Sequence, residues 1–88
     1  MNIVLSGILQ KYTGYQREHC IAAATVREAI ESLVKTFPGL NPILFDPAGQ
    51  MRRAHTVFLN GDQIFADQLM RPATEQDKLE ILTAIAGG

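Results

Sequence analysis

Eighty-eight residues, 47% of them apolar, are enough for one domain with a packed core and too few for two. A single cysteine excludes an internal disulfide framework and any cysteine-rich metal or iron–sulfur site, and it fits a reducing cytosol. Eight Lys and Arg against nine Asp and Glu, scattered along the chain, give a net charge of −1 and argue against nucleic acid as the main partner, because phosphate binding needs a concentrated basic face.

The opening Met1-Asn2-Ile3-Val4 lacks a basic region followed by a long apolar stretch, so no signal peptide is expected. No apolar run reaches membrane-spanning length, and a cytoplasmic location is expected. Residues 2–10 alternate, with Ile3, Leu5, Gly7 and Leu9 on one face and Val4, Ser6, Ile8 and Gln10 on the other. This predicts a strand, and a central one, since both faces carry apolar residues. Lys11-Tyr12-Thr13-Gly14 supplies turn chemistry, and a second strand over 16–22 completes a hairpin.

Thr25-Val26-Arg27-Glu28 reads as a capping box, the Thr25 hydroxyl accepting from the Glu28 amide while the Glu28 side chain reaches back. Val26, Ala29, Ile30, Leu33, Val34 and Phe37 then recur at three- and four-residue steps, which predicts a helix of about three turns ended by Pro38-Gly39. Residues 40–53 look irregular, with turns at Asn41-Pro42 and Asp46-Pro47-Ala48-Gly49. Ile43, Leu44 and Phe45 should tuck one short apolar turn against the core, and Arg52-Arg53 reads as a solvated loop or the start of a strand. Residues 54–59 form the next strand, with His55, Val57 and Leu59 opposite Thr56 and Phe58. Asn60-Gly61 beside Asp62 signals a tight turn, after which Gln63-Ile64-Phe65 pairs briefly.

Thr74-Glu75-Gln76-Asp77 turns the chain into a last strand over 78–86. Leu79, Ile81 and Ile85 share one face with Thr83 between them, and Glu80, Leu82, Ala84 and Ala86 share the other. Glu80 marks that second face as wet, so Leu82 is expected to be an exposed leucine in a mostly small or polar row. The first and last strands are the most apolar. Side by side and parallel at the centre of a mixed sheet of four to five strands, with one main helix packed across it, they give an α+β architecture of the β-grasp kind. Residues 1–86 make this domain, and 87–88 a flexible diglycine tail.

The ending Gly87-Gly88 places a carboxylate on two residues without side chains. Gly88 has no Cβ to shield its carboxyl carbon, and Gly87 can adopt backbone angles closed to other residues. Such a tail can thread a narrow channel into another protein's active site. Small residues also collect at chain ends for no functional reason.

The order of elements, the helix opened by Thr25, the Asn60-Gly61-Asp62 turn and the ending Ile85-Ala86-Gly87-Gly88 together resemble the β-grasp sulfur-carrier proteins of the ThiS/MoaD type, which are ubiquitin-like. These include the carriers for thiamine thiazole, for molybdopterin and for cysteine synthesis. The resemblance covers essentially the whole chain. The stretch Leu44-Phe45-Asp46-Pro47 through Gly49-Gln50-Met51-Arg52-Arg53 is similar to the longer crossover of the cysteine-synthesis carriers and their relatives in secondary metabolism. Some secondary-metabolism carriers have residues beyond the diglycine that a protease removes, and the ending at Gly88 implies no such step here.

The resemblance implies a mechanism. An ATP-dependent, E1-like activating enzyme joins the Gly88 carboxylate to AMP, and sulfide or a persulfide displaces AMP to leave a C-terminal thiocarboxylate. A second, biosynthetic enzyme accepts the sulfur. The chain is then a co-substrate that binds no cofactor of its own, with Gly88 and Gly87 as the reacting end. Leu82, Ala84, Ile85 and Ala86 are the expected partner-contacting residues. In the resembling molybdopterin carriers an aromatic residue stands at the position of Leu82, so the leucine departs from that pattern while keeping an apolar anchor.

Cys20, among Ile and Ala on a predicted strand, reads as a small buried apolar residue rather than a sulfur-carrying thiol. His19 and Cys20 point to opposite faces of that strand and cannot share a metal. His55 reads as strand packing or a surface group, and most of the aromatics as core or core edge. Three other readings stay open: the small subunit of a molybdopterin synthase, a ubiquitin-like covalent modifier of lysines, and a β-grasp binding module without terminal chemistry. The sulfur acceptor and the oligomeric state stay open as well.

Overall fold

The computed structural model describes residues 1–83. Two strands, β1 (Asn2–Leu5) and β5 (Lys78–Thr83), run parallel through the middle of the sheet, in register from Asn2↔Lys78 to Leu5↔Ile81. Their inward side chains Ile3, Leu5, Leu79 and Ile81 are almost entirely buried. Antiparallel neighbours complete a five-stranded sheet in the order β2-β1-β5-β3-β4, with β2 (Glu18–Cys20), β3 (His55–Leu59) and β4 (Asp62–Ile64). The β-grasp expectation holds, including the parallel central pair.

The expected strand over 2–10 is shorter. It ends at Leu5, and Gly7–Gln10 form a helical turn, α1, opened by Ser6, whose carbonyl accepts from the Leu9 and Gln10 amides. Gly7 has no side chain to pack on a strand. Leu9 is buried in the helical turn just as it would be in an extended one, so the alternation could not separate the two. The second strand shrinks likewise from 16–22 to Glu18–Cys20 and lies at the sheet edge. The two still form an antiparallel pair, joined through the turn at Gly14 and Tyr15, both at positive φ.

α2 (Val26–Thr36) lays Val26, Ala29, Ile30 and Leu33 on the sheet. The Glu28 amide donates to the Thr25 hydroxyl at 3.1 Å. The reciprocal bond differs from a standard capping box, because the Glu28 carboxylate accepts from the Ala24 amide. The next helix amides, on Val26 and Arg27, donate to the Arg71 and Leu69 carbonyls. The segment after β4 therefore straps the helix start and satisfies donors that a helix cannot satisfy internally.

The crossover is more regular than its turn residues suggest. A 3-10 turn over Pro38–Leu40 leads into α3 (Asn41–Leu44), and Leu40 and Leu44 are fully buried. Asp46 Oδ1 accepts from the Ala48 and Gln50 amides, and Gly49 takes φ +82° in the same turn. Arg27 spans from α2, its guanidinium over the Phe45 ring and donating to the Gly49 carbonyl. The β3–β4 turn has Asn60 and Gly61 both at positive φ, as a type I′ hairpin requires. Asn60 also closes the approach to β5: its Nδ2 donates to Asp77, and its Oδ1 accepts from the Lys78 amide.

Two expectations follow. Ile81→Ala opens a void at the centre of the sheet and should cost about 2–5 kcal/mol, read as a lowered urea midpoint with an unchanged denaturant slope. The Asn60 side chain and the Thr74 amide hold the Asp77 carboxyl below its ordinary value. A lowered carboxyl stabilises the fold above the unfolded-state range, and that contribution is lost as pH falls through the folded-state value. Asp77→Ala should therefore be less stable than wild type at neutral pH, and the gap should narrow in chemical denaturation series taken below the ordinary carboxylate range.

Candidate functional site

The candidate site is the far end of β5. Successive side chains alternate along this strand: Leu79 and Ile81 face the core, while Leu82 is 41% exposed on the opposite face. Leu82 stands opposite Thr56, and one step back Glu80 lies between Val4 and Phe58. The expected exposed leucine on a partly polar face is present. Ala84, Ile85, Ala86, Gly87 and Gly88 lie outside the described residues.

Beyond Ile81, among the described residues, the strand loses one neighbour. The β1 register stops at Leu5↔Ile81, and the Ser6 amide makes the last bond, to the Ile81 carbonyl. On the other side β3 continues to His55, opposite Thr83. The Asn60 amide bonds to the Lys78 carbonyl, which fixes the alternation of the β3–β5 ladder. By that alternation His55↔Thr83 is a pair without backbone hydrogen bonds, the kind whose side chains stand closest together. The His55 amide accordingly donates to the Arg52 carbonyl instead. What joins the two residues is the imidazole: Nδ1 lies 3.0 Å from Thr83 Oγ1, and Nε2 lies 2.7 Å from the Ile43 carbonyl in α3. His55 was expected to be packing or surface. It is a bridge between the crossover and the last described residue of β5.

Next to His55, between the crossover and β4, lies a half-open groove of about 530 Å³. Buried Val57, Ile64 and Leu69 line its floor, with Arg52 and Arg53 among its walls. Arg52 is partly engaged, donating from Nε to the Pro42 carbonyl.

Several expectations change. Cys20 is exposed, because β2 is an edge strand of three residues whose outer positions meet solvent. His19 stacks edge-on against Phe37 and bonds to the Gln16 carbonyl. Phe45 is buried, and Tyr12 and Phe37 pack on the core, but Tyr15 and Phe65 are exposed. Among the described residues no group of three or more His, Cys, Asp or Glu is placed to hold a metal ion, and no helix is long and apolar enough to cross a membrane.

The parallel first and last strands, the helix packed across them and the exposed end of β5 define a ubiquitin-like β-grasp protein. No family model matches the chain. Along its whole length it is 29% identical over 93 residues to the sulfur carrier protein CysO of Mycobacterium tuberculosis H37Rv, with all of both chains covered. Its structure is similar to the crystal structure of the BexX/CysO complex of Amycolatopsis orientalis, with TM-score 0.84 and 27% identity over 99% of this chain and 98% of that one. It is similar as well to SAMP1 of Haloferax volcanii, with TM-score 0.87 and 25% identity over 100% and 98% of the two chains. In sequence and in fold the chain is thus similar to sulfur carrier proteins of the CysO type.

Proposed function

We propose that this protein carries sulfur as a C-terminal thiocarboxylate on Gly88 and is consumed as a donor by a biosynthetic enzyme. The end-to-end likeness to CysO carries this reading. The fold supports it, since the central strand β5 leads directly into Ala84-Ile85-Ala86-Gly87-Gly88. A carboxylate is a poor electrophile. ATP converts it to an acyl-adenylate with release of pyrophosphate, and sulfide then attacks the carbonyl carbon and expels AMP. ATP is bound and used by the activating enzyme, so the chain is a cytoplasmic co-substrate and not an enzyme. Glycines at 87 and 88 leave the reacting carbon open from every side.

The partners are an adenylating enzyme and a sulfur acceptor. One structural relative is a CysO in complex with BexX, which favours partners that dock the carrier as a whole folded body. Leu82 supplies an apolar anchor beside the tail on the exposed face of β5, with Ala84, Ile85 and Ala86 continuing the contact. A second reading, transfer of the same activated carboxyl to a lysine of another protein, is favoured by the likeness to SAMP1, a small archaeal modifier protein.

Intact-mass measurement separates the two readings. Incubation with ATP, a sulfur donor and the host's activating enzyme should yield a species heavier by one oxygen-to-sulfur exchange at Gly88. Isopeptide adducts without that species would favour the modifier, and an unchanged chain would refute both. Removing Gly87 and Gly88 should abolish product while the melting temperature stays put. Leu82→Asp, a surface change worth at most about 0.5 kcal/mol in stability, should raise the carrier's KM in the activating enzyme's ATP–pyrophosphate exchange with little change in kcat.

A further inference from the structure

Among the described residues, Thr83 at the end of β5 is held by little backbone. Thr83 has passed the last β1 contact, and by the ladder alternation its amide and carbonyl point away from β3. Its bond to the rest of the sheet runs through the side chain, to His55 Nδ1 at 3.0 Å. The imidazole is in turn fixed from the far side by the Ile43 carbonyl at 2.7 Å.

The protonation pattern follows from the partners. A carbonyl only accepts, so Nε2 carries a proton and donates to Ile43. In the neutral ring Nδ1 accepts from the Thr83 hydroxyl. In the charged ring Nδ1–H donates to the same oxygen. The Thr83 hydroxyl can play either part, so the bridge survives in both forms. Two ring nitrogens held at opposite ends leave the imidazole little rotational freedom. A rigid side chain on β3 thus transmits the position of α3 to Thr83.

We propose that His55 is a positioning residue for sulfur transfer: it clamps Thr83, the last described residue of β5, to the crossover and so fixes the point from which the chain continues to Gly88. This rests on the sulfur-carrier reading. It also gives the crossover helix α3 a task, since its Ile43 carbonyl anchors the clamp.

The test compares Thr83→Val with Thr83→Ser in the full chain. Valine keeps the shape and has the higher strand propensity, while serine keeps the hydroxyl. If Thr83 serves only the strand, valine should match wild type and serine should be worse. The clamp requires the reverse. Thr83→Val should lose about 10-fold in kcat/KM for thiocarboxylate formation, as a small misplacement of a reacting group does. Thr83→Ser should stay close to wild type, and melting temperatures should move little in either variant. Equal rates in both variants, or valine above serine, would overturn the proposal.

A second measurement does not depend on any activity. In nuclear magnetic resonance the three-bond couplings at Thr83 should report one side-chain rotamer in wild type and averaging in His55→Phe. The same rotamer in both would refute the clamp even if sulfur transfer is confirmed. Averaging confined to His55→Phe would uphold the clamp even if wild type yields no thiocarboxylate.

Discussion

Everything in this molecule is organised by the pairing of β1 with β5. Four aliphatic side chains, Ile3, Leu5, Leu79 and Ile81, meet at the middle of the sheet with essentially no exposure. Each contributes on the order of 1.5–3 kcal/mol by leaving water, which is large against a net stability of about 5–15 kcal/mol for a domain. The helix, the crossover and the outer strands all take their positions from that central pair. α2 covers it with Ile30 and Leu33, the crossover with Leu40 and Leu44, and β3 supports β5 from the other side. Because β5 is central and not at an edge, it is flanked by strands on both sides from Lys78 as far as Ile81, where its pairing with β1 ends.

Much of this was legible in the amino-acid sequence, for identifiable reasons. The α2 stripe and the Thr25 cap follow from helical period and capping chemistry, both local. Asn60-Gly61 marks its turn because few residues tolerate positive φ at two successive positions. The alternation of Leu79, Glu80, Ile81 and Leu82 was enough to place Leu82 outside. The errors have a common cause, since they concern positions whose environment is set by distant parts of the chain. Leu9 is buried in either conformation, so alternation extended β1 into α1. Cys20 has apolar sequence neighbours, yet it sits on an edge strand that is covered poorly. Phe65 and Tyr15 are aromatic, which favours burial on average, but Tyr15 stands in the turn before β2 and Phe65 just past the end of β4, and both are exposed.

The end of β5 shows the same limit in another form. Nothing local pairs His55 with Thr83, or His55 with the Ile43 carbonyl. The bridge needs the β3–β5 register, and the register depends on the turn at Asn60 and the approach through Asp77. A one-residue slip would send Thr83 to the opposite face and break it. The site is therefore a tertiary property assembled from unremarkable residues. The reactive carbon proposed at Gly88 is the reverse case, a feature of the sequence that needs little from the fold except a firm root.

The position of β5 bears also on when the protein becomes competent. Strands that pair across nearly the whole chain, as Asn2 does with Lys78, close late, because the entropy of a long loop must be lost before their contacts form. α2 and the β3–β4 hairpin can form from local contacts, but the middle of the sheet stays empty until residues 78–83 pair with β1. An incompletely folded molecule lacks the register that brings Thr83 to His55 and shows no ordered Leu82 face. A partner that docks on this face meets it only in the completed fold.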